Sequence, residues 1–193
     1  MMNAIILAGG KSIRFGSDKA FAKIGDSTLI ESLFLSLSLV FNKIIIVTNF
    51  KERYKNFPAI ITEDIFKDAG PLGGLYAGLK ASNSDRNFVV ACDMPLVNLM
   101  LIKYMAGLID GDAIVPMING KVEPLHAVYS KKCISAVEAQ LKSGIYKIQE
   151  VFNLVDTRYI KEDVINKYDP SLLSFLNINL QKDMQKIKAC LKY

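Results

Sequence analysis

From residue 7 to residue 19 the chain reads Leu7-Ala8-Gly9-Gly10-Lys11-Ser12-Ile13-Arg14-Phe15-Gly16-Ser17-Asp18-Lys19, placing three glycines, two lysines and an arginine directly after a short apolar run. Glycines let main-chain N–H groups approach anionic oxygens closely, and Lys and Arg neutralise the charge, so this composition suits a phosphate-gripping loop. The alternative is a glycine-lined turn from strand to helix that carries solvated lysines. Two familiar phosphate motifs are excluded. A loop ending in Gly10-Lys11-Ser12 would need a glycine where Ile5 stands, and the dinucleotide pattern needs one in place of Lys11.

Phe88-Val89-Val90-Ala91-Cys92 is apolar throughout, as a central strand covered on both faces requires, and Asp93 follows it directly. A carboxylate at the carboxyl edge of such a strand suits Mg²⁺, which prefers hard oxygens together with substrate phosphates. Asp93 could instead cap the helix expected from about Asn98, but Pro95 and Leu96 intervene. Gly73, Gly74 and Gly78 stand in the first turns of another expected helix, where each costs about 1 kcal/mol relative to Ala. Something must approach closely there, either a ligand or a neighbouring strand. His126, the only histidine, lies among Pro124, Leu125, Ala127 and Val128, a setting for a structural or pocket-lining residue more than for a general base.

These residues need a scaffold, and the chain supplies one by alternation. Ala4 to Leu7, Lys43 to Thr48, Ala59 to Thr62, Phe88 to Cys92 and Ala113 to Met117 read as strands, while Leu29 to Phe41, Leu72 to Ala81 and Leu99 to Ile109 read as helices. The repeated βα order implies an α/β fold, Rossmann-like, with a mainly parallel central sheet and helices on both faces. Past Gly120 the rhythm changes. Glu123 to Ser130 fits a strand, Lys131 to Lys142 and Tyr146 to Leu154 fit helices, and Gln181 to Lys192 fits a final one. No Pro/Gly/Ser-rich break divides the chain, so residues 1–193 read as one domain, with a nucleotide-binding part to about 117 and an acceptor-side part from about 118.

Composition narrows the class. The 193 residues are 51% hydrophobic and 22% charged, too apolar for a disordered chain. Ser32 to Asn42, the longest uncharged stretch in the most apolar region, is far shorter than the ~20 residues of a spanning helix. An excess of 24 Lys and Arg over 19 Asp and Glu suits an anionic small molecule, and without a basic tail nucleic acid is not an expected partner. Cys92, Cys133 and Cys190 are far apart and without a neighbouring histidine, which argues for reduced thiols in a cytoplasmic protein. Met1-Met2-Asn3 runs straight into Ala4-Ile5-Ile6-Leu7 with no basic segment before it, so this start reads as a first strand rather than a signal peptide.

Five segments, LAGGKSIRFGSDKA from Leu7, GPLGGL at Gly70 to Leu75, ACDMPL at Ala91 to Leu96, EPLHAVY at Glu123 to Tyr129 and FLNIN at Phe175 to Asn179, resemble the molybdenum cofactor guanylyltransferase family in order and spacing. The resemblance covers nearly the whole chain. It implies a nucleotidyltransferase-type fold and the transfer of GMP from Mg-GTP to the terminal phosphate of molybdopterin, with release of pyrophosphate. By motif, Leu7, Ala8 and Gly9 match the positions that hold the guanine nucleotide, Lys19 the basic residue paired with its phosphates, Asn49 and Asp64 two further nucleotide contacts, and Asp93 the magnesium ligand. Within that reaction Lys19 and Arg14 are expected to offset charge on the leaving pyrophosphate, and the Gly9 and Gly10 amides to orient it; the alternative for Arg14 is to brace the loop. The implied partners are GTP, molybdopterin and molybdoenzyme apoproteins or their chaperones.

In Leu176-Asn177-Ile178-Asn179 a period of two puts Asn177 and Asn179 on one face and Ile178 on the other, so the two amides are expected to line a molybdopterin pocket. Asn179 could instead cap the final helix. Phe15 replaces the methionine usual in the family, and the stretch from Asp156 to Asp169 matches none of its motifs. Two rivals remain. A cytidylyltransferase acting on molybdopterin or a sugar phosphate more often carries LAAG than LAGG. A silent nucleotide-binding module would be marked by loss of Lys19 or Asp93, and both are present.

Overall fold

The computed structural model describes residues 2–9 and 19–178. Gly10, Arg14, Phe15, Asn179, Cys190 and the helix expected from Gln181 lie outside the described residues.

Ten strands occur among the described residues: β1 (Asn3–Leu7), β2 (Lys23–Ile24), β3 (Ser27–Thr28), β4 (Ile44–Val47), β5 (Ile60–Thr62), β6 (Arg86–Ala91), β7 (Ala113–Ile118), β8 (Lys121–Val122), β9 (His126–Ser130) and β10 (Thr157–Lys161). The helices are α1 (Leu29–Ser38), α2 (Lys51–Tyr54), α3 (Gly70–Ala81), α4 (Leu99–Gly107), α5 (Cys133–Lys142) and α6 (Glu162–Ile165). Eight strands form one sheet in the order β10-β7-β9-β6-β1-β4-β5, with β8 paired to β7, while β2 and β3 make a separate hairpin. The pairs β6·β1, β1·β4, β4·β5 and β10·β7 are parallel; β9 is antiparallel to both β6 and β7.

Strand alternation divides the core into two. Ala4, Ile6, Ile44, Ile46, Phe88 and Val90 pack with Ile30, Leu33 and Leu37 of α1 and Leu101, Ile102 and Met105 of α4. Ile5, Leu7, Ile45, Val47 and Val89 pack on the opposite face with Leu72, Leu75 and Leu79 of α3 and Val137 and Leu141 of α5. Both faces of the sheet are thus dry, which is why its central strands are apolar at every position. Thr28 starts α1 by a capping box: its hydroxyl accepts from the Glu31 N–H at 3.3 Å, and its own N–H donates to the Glu31 carboxylate at 2.7 Å.

The second half departs from the expected elements. β9 starts at His126, after Leu125 O has accepted from the Ala91 N–H at 3.0 Å, and it runs back between β6 and β7. The helix expected over Tyr146 to Leu154 is a 3₁₀ helix, Ile148–Asn153. The stretch without a motif match contains β10 and α6. No helix among the described residues is long and apolar enough to cross a membrane.

Candidate active site

Parallel register lines up the strand ends. Ala91 of β6 is level with Leu7 of β1, Leu7 with Val47 of β4, and Val47 with Thr62 of β5. Two residues past that row, in the same order, stand Asp93, Gly9, Asn49 and Asp64. Four residues scattered over 85 positions of sequence therefore leave one sheet at one edge, its carboxyl edge, where open α/β sheets present their ligands. Main-chain bonds continue the alignment past the strands: the Ala8 N–H donates to Val47 O at 2.9 Å, the Cys92 N–H to Leu7 O at 3.1 Å and the Thr48 N–H to Thr62 O at 2.9 Å.

Lys19 arrives from a 3₁₀ turn, Lys19–Phe21, that is pinned by its last residue. The Phe21 ring meets Tyr54 edge-on at 5.0 Å, and the Arg53 guanidinium lies 4.4 Å from the Phe21 centroid. The buried ammonium of Lys19 donates to Asp93 Oδ2 at 3.0 Å. Asp93 Oδ1 is buried and has no hydrogen-bond partner among the described residues. An unmet carboxylate oxygen at the carboxyl edge of an open α/β sheet is a donor that a hard divalent cation takes. No group of three or more His, Cys, Asp and Glu gathers among the described residues. A cation here would be held by one carboxylate and substrate phosphates, which is how Mg²⁺ is commonly bound. The capping alternative for Asp93 falls away, because Asn98 caps α4, accepting from the N–H groups of Met100 and Leu101 at 2.9 and 3.0 Å.

A second cluster lies two strands away. Asn49 Nδ2 donates to Asp64 Oδ2 at 3.0 Å, and Asn49 Oδ1 accepts from the Asp64 N–H and from Lys67 Nζ, both at 3.3 Å. Burial raises the Asp64 carboxyl above its ordinary value, partly offset by the Asn49 amide and the Lys67 charge. Two glycines border Asp64: a methyl group on Gly9 would come within 3.8 Å of Asp64 Oδ2, and one on Gly74 within 3.6 Å of Oδ1 and, closer still, 3.3 Å from Leu7 Cδ2. Gly73 and Gly78 of α3 answer to the protein itself. A Cβ on Gly73 would meet Phe66 O at 2.9 Å and one on Gly78 would meet Ile5 Cγ2 at 2.5 Å, so the neighbouring chain is what approaches there. An open cleft of about 330 Å³, lined by Asn49, Phe50, Lys51, Glu52, Arg53 and Glu63, adjoins this cluster.

Toward the C-terminus, the Ile178 N–H donates to Asp93 O at 2.9 Å. Asn177 is thereby set, half-buried, beside the Asp93 turn, and Ile178 is fully buried against Leu29. His126 is entirely buried. Its ring packs edge-on against Phe88 at 5.0 Å and beside Phe175 at 4.9 Å, neither nitrogen has a hydrogen-bond partner among the described residues, and burial pushes its pKa down to about 3. A histidine so placed is neutral packing, not a general base. The Cys133 thiol, pushed up to about 12 chiefly by burial, is likewise inert.

One carboxylate escaped notice in the sequence. Glu123 is raised above its ordinary value first by burial and also by the nearby charge of Asp93, while the Leu125 N–H at 3.1 Å works the other way. Its place in EPLHAVY, just before a buried strand, was the available signal.

Comparison with known proteins shows the family and the fold. The family model of the MobA-like NTP transferase domain matches residues 4–159. A molybdenum cofactor guanylyltransferase of Desulfosudis oleivorans is 36% identical over 99% of this chain and 96% of its own, and one of Syntrophotalea carbinolica is 35% identical over 95% and 89%. The crystal structure of molybdopterin-guanine dinucleotide biosynthesis protein A from Archaeoglobus fulgidus superposes with a TM-score of 0.85 at 26% identity, covering both chains completely. A 4-diphosphocytidyl-2C-methyl-D-erythritol synthase from Anaerococcus prevotii, 15% identical, shares the fold with a TM-score of 0.72 over 100% of this chain and 96% of its own.

Proposed function

The chain belongs to the family of MobA-like NTP transferase domains, and on that premise we propose that it transfers GMP from GTP to molybdopterin, releasing pyrophosphate and forming the guanine dinucleotide cofactor. The observation that carries the reading is the single row of Asp93, Gly9, Asn49 and Asp64 along one sheet edge, with Lys19 held against Asp93.

A terminal phosphate oxygen of molybdopterin bonds to the α-phosphorus of GTP as the bond from that phosphorus to the pyrophosphate oxygen breaks, and pyrophosphate leaves with the electron pair. The nucleophile is already anionic, so positioning and charge neutralisation dominate and no general base is needed. That accords with the burial of His126. Leu7, Ala8 and Gly9 let the nucleotide lie close to the main chain. Lys19 places its ammonium where triphosphate charge accumulates, and Gly10 and Arg14 are assigned to the leaving pyrophosphate. Asp93 would hold Mg²⁺, which would supply positive charge against the nucleotide phosphates. Asp64 supplies carboxylate oxygens to the N1–H and amino donors of guanine, and Asn49 orients it. Asn177 and Asn179 are assigned to binding the pterin. The reaction is assigned to the cytoplasm, with molybdoenzyme apoproteins or their chaperones receiving the product.

The test is turnover of the purified chain with molybdopterin, magnesium and each nucleoside triphosphate in turn. GTP should exceed CTP and ATP by orders of magnitude in kcat/KM, because a site built to hydrogen-bond one base leaves its own polar groups unpaired against another. Equal values for CTP and GTP would replace this reading with the cytidylyl one, and no turnover with any nucleotide with the silent module.

A further inference from the structure

The segment that carries Asn177 returns to the site from far away in sequence, and a buried polar chain fixes how it returns. Asp169, 5% exposed, spends both carboxylate oxygens on main chain: Oδ1 accepts from the Leu173 N–H at 3.2 Å and Oδ2 from the Ser174 N–H at 2.8 Å. Between them, Leu172 is held at φ +52°, a left-handed conformation that a leucine adopts only when its surroundings impose it. The wholly buried Ser174 hydroxyl accepts from the Asn98 N–H at 2.8 Å. Asn98 Nδ2 in turn donates to Tyr168 O at 2.7 Å, so the asparagine that caps α4 also grips the returning chain at two points. The Tyr104 ring of α4 stacks on Tyr168 at 4.9 Å and supports the same junction. Asn98 stands five residues after Asp93, and Ile178 four after Ser174, where its N–H reaches Asp93 O.

We propose that Asn98, Ser174 and Asp169 are positioning residues that latch the segment from 172 to 178 onto the Asp93 turn and so set the affinity for the molybdopterin acceptor, an inference that rests on the acceptor role given above to Asn177. None of the three needs to touch substrate. Their bonds fix one backbone path, and the path decides where the Asn177 amide stands relative to Asp93. The nucleotide contacts after β1, β4 and β5 stand apart from it, and Asp93 keeps its own anchors, Lys19 on the side chain and the Cys92 and Met94 N–H bonds on either side, so the latch should act on the acceptor.

Asn98→Asp separates the latch from the helix cap. Aspartate caps α4 as well as asparagine does, but it has no donor for Tyr168 O. Ser174→Ala removes the acceptor for the Asn98 N–H by a different route. In both variants KM for molybdopterin should rise about tenfold, with kcat at saturation and KM for GTP within about twofold of the parent. The Ile178 amide should exchange with deuterium correspondingly faster while those of β1 and β6 keep their protection. Unchanged Ile178 exchange in both variants would overturn the latch. Faster exchange with unchanged KM for molybdopterin would overturn its role toward the acceptor, as would equal rises in both KM values. A parent chain with no turnover would overturn the proposed function instead, leaving the exchange measurement to decide the latch.

Discussion

The two oxygens of Asp93 are unlike: one is 3.0 Å from the Lys19 ammonium and the other is buried without a partner among the described residues. Asparagine at this position keeps the volume but supplies a neutral oxygen and an amide donor in place of a hard anionic pair. Asp93→Asn should therefore lower kcat by about a thousandfold or more while the far-UV circular dichroism stays native; turnover within a few-fold of the parent at saturating magnesium would remove Asp93 from the metal role. His126 affects stability, not turnover. Burial lowers its pKa from 6.5 to about 3, so between those values the unfolded chain binds a proton that the folded chain refuses. Stability from this source is complete above pH 6.5 and falls by about 1.4 kcal/mol per unit as the pH drops below it. Urea midpoints of His126→Leu should accordingly depend on pH less steeply than those of the parent below pH 6.5, and parallel profiles would count against that account.

Helix α3 shows how one element serves both packing and site. Alanine at Gly78 would gain about 1 kcal/mol of helix propensity. Its methyl would stand 2.5 Å from Cγ2 of Ile5, a β-branched side chain that is fully buried in β1 and stiff at χ1. Overpacking of this kind costs about 1–3 kcal/mol, so the clash wins and Gly78→Ala should lower the melting temperature. Gly74→Ala makes the opposite case. Its nearest neighbour is the end of the Leu7 side chain at 3.3 Å, which can turn aside, and its methyl would sit over Asp64 Oδ1. Unfolding should be little changed there, while KM for GTP rises; steady-state kinetics and thermal melts on the two variants check both claims together.

At the scale of the whole molecule the two halves of the chain share one sheet. β9, from the later half, lies between β6 and β7, and β10 extends the far edge of β7. A fragment ending at residue 117 would leave β6 without β9 along one side and expose the Phe88 and Val89 packing that Val128 and Ala127 register against. We expect residues 1–193 to unfold in one cooperative transition, with coincident fluorescence and circular dichroism curves, and the fragment 1–117 to show no native near-UV signal. Two separated transitions would make the nucleotide and acceptor parts independent domains.

Local sequence sufficed for the strands β1, β4, β6 and β7, each a short apolar run that is mostly buried, and for the β-branched edge strand β5, whose Ile60 is 44% exposed. It also showed the loop from Leu7 to Lys19, Asp93 at a strand end and the resemblance that names the chemistry, all of which are local patterns. Tertiary structure alone decided what no local pattern holds. Lys19 and Asp93 are 74 residues apart, and Asn98 and Ser174 are 76 apart, and only the register of the sheet and the return of the chain bring them together. The reversal of β9 is set by connection length and not by the strand's own composition: residues 119–125 are too few for the crossover a parallel strand needs, so β9 returns antiparallel. Gly73, Gly74 and Gly78 in α3 announced a close approach, but a missing side chain records only that space is needed. Whether Ile5, Phe66, Leu7 or Asp64 lies against that space is a property of the packed molecule.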